Sequence, residues 1–181
     1  PDSGRSAAEG FSQATGIPLV EGLIKNRYVH RTFIMPSDAQ RKSQINLKLN
    51  PIPSVLKGKR VALVDDSIVR GNTMRKIVGL LREAGASEVH LLVSFPPVVA
   101  PCYMGIDFPT YAELLASNKN VEMIRQELGA DSITYITLEG IQRAIDLPKE
   151  DLCWGCTTDV YPTEKINDYA KERKRNEKSF N

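Results

Sequence analysis

No stretch of this 181-residue chain is apolar for long enough to cross a bilayer, and none has the charge, apolar core and small-residue end of a secretory leader. Those absences make a cytoplasmic setting the expectation. Excess charge of either sign is also missing: 24 Lys+Arg against 22 Asp+Glu leave a formal net charge of +2. Neither nucleic acid nor a membrane is therefore expected as a partner. Internal repeats and low-complexity tracts are absent. Cysteine is scarce and odd in number. Cys102, Cys153 and Cys156 cannot make a paired disulfide framework, which leaves reduced thiols, metal ligands or buried core residues. The first residue is Pro1 and not Met, so the chain is expected to be processed, trimmed or cut from something longer.

With 41% hydrophobic and 25% charged residues, the composition is that of an ordinary globular protein with one real core. Residues 1–4 read as a loop feeding a helix. Ala7, Ala8, Phe11 and Ala14 line that helix's buried face, and Gly16 and Pro18 stop it. Residues 26–50 are basic and without clean periodicity, the pattern of a functional loop.

The segment "KRVALVDD" is a short apolar run, as in a strand buried on both faces of a parallel sheet. After it, Met74, Ile77, Val78, Leu81 and Ala84 recur at helical spacing up to a stop at Gly85, and "EVHLLVSFP" reads as a second strand. Strand, helix and strand in this order make a βαβ unit and predict an α/β fold. Two helical pieces follow in "YAELLASNKNVEMIRQELGA", then a strand in "DSITYIT" and a short helix in "LEGIQRAID". "CWGCTTDVYP" is turn-rich, and the charged tail "KINDYAKERKRNEKSFN" predicts a fraying surface helix.

Asp65 and Asp66 fall where the first strand should end, and ligands of open α/β sheets bind at the carboxyl ends of strands. Residues 67–73 would offer successive backbone N–H groups at a helix start, a concavity suited to a phosphate. Carboxylates beside a phosphate repel it unless they face hydroxyl groups or a divalent cation. The plainer reading is that Asp-Asp-Ser only caps a helix.

The longer pattern "VALVDDSIVRGNT" resembles the phosphoribosyl pyrophosphate (PRPP) loop of type I phosphoribosyltransferases. Together with "PDSG", "EGLIKNRYVHRTFI", "KLKLNP" and "PCYMGIDFPT", it resembles the amidophosphoribosyltransferase family over residues 1–163. The resemblance implies a type I phosphoribosyltransferase-like parallel sheet flanked by helices, with a helical C-terminal extension and the N-terminal part of the sheet missing. Residues 1–150 would be a partial phosphoribosyltransferase domain, and residues 151–181 a cysteine-containing segment and charged tail.

It also implies roles for individual residues. Asp2, Ser3 and Gly4 would accept the pyrophosphate, with Ser3, Asp65 and Asp66 around Mg2+. Ser67, Val69, Arg70, Gly71, Asn72 and Thr73 would hold the 5'-phosphate. Lys25, Arg27, Tyr28, Arg31 and Lys48 would belong to a catalytic loop that closes over PRPP. His30 departs from the glycine expected of relatives.

By itself Cys153-Trp-Gly-Cys156 fits a redox pair, a zinc half-site, iron-sulfur ligation or two core residues. One branch of the family carries a [4Fe-4S] cluster, and Cys102, Cys153 and Cys156 match three of its ligands. The fourth would lie outside this chain.

The implied function is the transfer of ammonia, released from glutamine by a glutaminase domain, to C1 of PRPP. The products would be 5-phosphoribosylamine and pyrophosphate, in purine biosynthesis. Purine nucleotides as inhibitors, a homo-oligomer and a missing glutaminase and N-terminal transferase segment complete the implied partners. The alternatives are a nucleobase phosphoribosyltransferase and a non-catalytic PRPP- or nucleotide-binding module.

Overall fold

A computed structural model describes residues 2–26, 49–106, 108 and 110–179. Helix α1 (Arg5–Thr15) leads to an antiparallel ribbon of β1 (Leu23–Lys25) and β2 (Leu49–Pro51), followed by the single turn α2 (Pro53–Leu56). The main sheet is parallel, in the order β3 (Arg60–Asp65), β4 (Glu88–Val93), β5 (Ser132–Tyr135). Helices α3 (Asn72–Glu83) and α4 (Val121–Leu128) supply the crossovers, and α5 (Leu138–Ile145) follows β5. The chain continues through the short α6 (Gly155–Thr158) to α7 (Glu164–Ser179). The α/β architecture expected from the sequence is the one observed. No helix among the described residues is long and apolar enough to cross a membrane.

The core forms because two periodicities meet. Met74, Ile77, Val78 and Leu81 make the buried stripe of α3, and alternate residues Val89, Leu91 and Val93 of β4 face it. Ile124 and Leu128 of α4 close the same cluster. Each such side chain contributes about 1.5–3 kcal/mol relative to an exposed one. Asn120 caps α4 by accepting the Met123 N–H at 2.9 Å, and Thr137 caps α5 by accepting that of Gly140 at 3.0 Å.

Four expectations need correction. β3 is not buried on both faces: Ala62 is exposed and Val61, Leu63 and Val64 are half-buried, because β3 is an edge of the described sheet. Among the sheet strands α1 packs chiefly on β3, so Ala7, Ala8 and Phe11 are only half-buried and Ala14 is exposed. The first of the two helical pieces is a single 3-10 turn, Tyr111–Glu113. Leu114, Leu115 and Ala116 are then buried in succession, which the single apolar stripe of a surface helix would not allow. Finally, α7 does not fray from Glu164 onward. It docks through Ala170 and Ile166 into a second cluster with Ala100, Tyr103, Tyr111 and Tyr161.

Candidate functional site

β3 carries Asp65 to the carboxyl edge of the sheet, where its partner in register is Val93 of β4. Ser94, the next residue of that neighbouring chain, donates both its backbone N–H (3.0 Å) and its hydroxyl (3.2 Å) to the Asp65 carbonyl. The backbone of Asp65 is thus fixed, while its side chain is half-buried and that of Asp66 exposed. Burial is the main reason that the Asp65 carboxyl titrates above the ordinary carboxylate value. A bond from the Asp66 backbone opposes the rise, and the Asp66 charge adds to it. A carboxylate held at this cost is suited to a hydroxyl donor or a cation.

Residues 2–4 meet the acid pair from the other side. Gly4 is buried against β3, and a Cβ there would lie 2.7 Å from the Val64 carbonyl oxygen and 3.0 Å from the Asp65 Cα. Gly4 is also the N-cap of α1, with no side-chain cap bond. Asp2 and Ser3, both exposed, are thereby held beside Asp65. The Lys25 ammonium, on β1, pairs with the Asp2 carboxylate at 2.5 Å, which brings a cation to the same corner. The other expected loop residues, Arg27, Tyr28, Arg31 and Lys48, with His30, lie outside the described residues.

Asp65, Ser67, Ile68, Val69, Arg70, Gly71, Asn72, Thr73 and Met74 line a cavity of about 470 Å³. Gly71, the N-cap of α3, has φ 78°, and a Cβ there would lie 2.7 Å from Leu115 Cδ2. Both the left-handed backbone and the packing demand glycine. Among the described residues, the backbone N–H groups of residues 67–73 donate to no protein acceptor. Together with the start of α3 they make a concavity of open donors, an arrangement suited to an anion. The Val69 carbonyl turns the other way and accepts the Leu115 N–H at 2.9 Å. Arg70 pairs with Glu113 at 3.3 Å.

Sequence reasoning missed Ser94, Glu113 and Leu115, all contacts over 29 or more positions; no local pattern marks them. A second hollow of about 460 Å³ lies along α5, lined by Glu139, Gln142, Arg143, Asp146, Leu147 and Pro148. None of the expected site residues borders it.

The three cysteines gather at one corner. The Cys156 carbonyl accepts the N–H groups of Val99 (2.8 Å) and Ala100 (3.0 Å), two residues before Cys102. Burial pushes the Cys156 thiol up to about 11, and charge on Cys102 and on Cys153 adds to the rise. Gly155 is required there by packing. It is buried, and a Cβ there would lie 2.7 Å from Tyr161 Cε1. Among the described residues, no group of three or more His, Cys, Asp or Glu side chains is gathered closely enough to hold a single metal ion.

Residues 10–101 match the phosphoribosyl transferase domain family. The amidophosphoribosyltransferase of Methanocaldococcus jannaschii is 57% identical over 164 residues, 91% of this chain and 34% of that protein. The one from Bacillus subtilis is 52% identical over 172 residues, 93% of this chain and 36% of that protein. A solved structure of glutamine PRPP amidotransferase from B. subtilis, complexed with ADP and GMP, superposes with a TM-score of 0.81 at 53% identity. That match covers 91% of this chain and 37% of the other. The chain thus spans about a third of the length of the curated relatives it matches.

Proposed function

The chain belongs to the phosphoribosyl transferase domain family, and on that premise we propose that it is the PRPP-binding part of an amidophosphoribosyltransferase. In the reaction, the ammonia lone pair forms a bond to C1 of the ribose as the bond from C1 to the pyrophosphate oxygen breaks. The anomeric centre inverts, and a proton leaves the new ammonium to give 5-phosphoribosylamine. Free ammonia is already a nucleophile, so the site's task is to hold anions and exclude water.

The observation that carries the proposal is the approach of Gly4 to Val64 and Asp65. It sets three kinds of group around one mouth: the loop of residues 2–4, the acid pair and the N–H-lined turn. The turn takes the 5'-phosphate through Ser67, Val69, Arg70, Gly71, Asn72 and Thr73, and Asp65 and Asp66 take the ribose hydroxyls. Asp2, Ser3 and Gly4, with Lys25, face the pyrophosphate. Arg27, Tyr28, Arg31 and Lys48 keep the role that the resemblance gave them.

The half-buried Asp65 with Asp66 and the Ser3 hydroxyl are oxygen donors of the kind magnesium takes. These residues would hold it, and bound there it would supply positive charge for the departing pyrophosphate. Cys102, Cys153 and Cys156 would hold three irons of a [4Fe-4S] cluster, with a further ligand from elsewhere. The chemistry fits, because each thiolate of a cubane binds a different iron and thiols need not converge on a single ion. In the whole protein, a glutaminase domain supplies ammonia, purine nucleotides inhibit, and copies associate.

Calorimetric titration of the chain with magnesium-PRPP tests the binding. Wild type should bind, and Asp65→Asn with Asp66→Asn should abolish binding without unfolding. Equal binding by both would end the assignment of the acid pair. Ammonia-dependent pyrophosphate release by the full-length protein then tests the reaction.

A further inference from the structure

Residues 110–117 run from the cysteine corner to the anion-binding turn, and both ends are tied. At the turn, the Leu115 N–H donates to the Val69 carbonyl at 2.9 Å, and the Leu115 side chain fills the space beside Gly71. Glu113 reaches Arg70. Inside the segment, the Ser117 hydroxyl donates to the Tyr111 carbonyl at 2.6 Å and to that of Leu114 at 3.0 Å, so it moves as one piece. At the far end, the buried Tyr111 donates its hydroxyl to Asp159 Oδ1 at 2.5 Å. Asp159 Oδ2 accepts from Lys174 of α7, also at 2.5 Å, and the Lys174 ammonium stands 4.7 Å from the centre of the Tyr111 ring. Asp159 itself has φ 60° and ends α6. Nothing in the chemistry proposed above uses these three residues.

We infer that Tyr111, Asp159 and Lys174 are positioning residues for the anion-binding turn: they anchor the 110–117 strap, whose Leu115 sets the shape of the turn around the 5'-phosphate of PRPP. The inference rests on the proposed function and adds to it residues that touch no ligand. Apart from the buried Ile68, the turn leans on the strap: among the described residues its N–H groups donate to no protein acceptor, and its Val69 carbonyl accepts from Leu115. Loss of the anchor frees Leu115 to retreat, which loosens the turn before any ligand arrives. Asp131, by contrast, braces the other end of the sheet by accepting the Val89 N–H at 2.6 Å, off the strap. It provides the control.

The test is magnesium-PRPP titration of wild type, Tyr111→Phe, Asp159→Asn, Asp159→Gly, Lys174→Met and Asp131→Asn, with amide exchange at Leu115 in the free chain. Tyr111→Phe and Asp159→Gly should weaken binding roughly 3- to 30-fold and speed Leu115 exchange. Lys174→Met should do so less. Asp159→Asn keeps an acceptor for Tyr111 and tolerates the left-handed backbone, so it should retain most of the affinity. Asp131→Asn should lower thermal stability and leave affinity unchanged. Unaltered affinity in Tyr111→Phe would overturn the inference, as would losses that track melting temperature across all variants, Asp131→Asn included. Failure of wild type to bind would overturn the proposed function itself, and this inference with it.

Discussion

The backbone of Gly4 passes so close to that of Val64 that a methyl group on Gly4 would sit 2.7 Å from the Val64 carbonyl oxygen. Gly4 has φ −81°, open to any residue, so space alone excludes alanine. Gly4→Ala should cost about 1–3 kcal/mol in urea unfolding. It should also weaken magnesium-PRPP binding about tenfold or more by moving residues 2–4 off the acid pair. Wild-type affinity in a destabilised Gly4→Ala chain would separate the loop from the ligand.

Asp65→Asn should bind magnesium-PRPP poorly yet be more stable than wild type at pH 7. Burial raises the Asp65 carboxyl above its ordinary value of 3.8, so the folded chain holds the proton more tightly than the unfolded one. Stability then falls as pH rises from about 3.8 through the raised folded value. The uncharged variant escapes that loss. Its advantage in melting temperature should therefore grow between pH 3.5 and pH 7, and a constant difference would contradict the burial argument.

Asp131 should behave in the opposite sense. The Val89 N–H at 2.6 Å, and next Arg82 at 2.5 Å, hold its carboxyl below the ordinary value. A depressed carboxyl contributes stability above its unfolded value near 3.8 and loses it as pH falls through the lower folded value. Asp131→Asn should cost about 1 kcal/mol at pH 7. By pH 3 the deficit should shrink, as read from urea unfolding at the two pH values.

Gly155→Ala should strike the cysteine corner. The Tyr161 ring beside it is buried and held by the Pro101 carbonyl, so the added methyl forces Cys156 away from Val99 and Ala100. A drop of several degrees in melting temperature is expected, from a cost of about 1–3 kcal/mol. Unchanged melting would mean that the ring gives way at no cost.

The β3-α3-β4 unit and the place of Asp65 were legible because each is written locally, in an apolar run and a turn within residues 61–73 and a helical stripe directly after them. The burial of β3 was misjudged because the run says how apolar a strand is and not whether it lies at an edge. The docking of α7 was hidden because its buried apolar contacts, through Ile166 and Ala170, sit among mostly charged neighbours. Leu115 looked like half of a helix. Its bond to Val69 spans 46 positions, and nothing in either segment's composition announces the other. The resemblance put Cys102 and Cys156 in one ligand set; the bonds from Val99 and Ala100 to the Cys156 carbonyl are announced by neither segment.

The helix starts divide in a way that has a consequence for folding. α4 and α5 carry their own caps in Asn120 and Thr137, whereas α1 and α3 begin at Gly4 and Gly71 with no side chain closing them. With glycine at the cap the missing side chain costs only about a few tenths of a kcal/mol, but it leaves the first N–H groups open. The two open starts flank the same carboxylates, so an anion seated between them would finish both helices at once. Ligand and fold would then share donors: an occupied chain should melt later than its affinity for an already rigid receptor would predict, and the first turns of α1 and α3 should be the part of the molecule that gains most order.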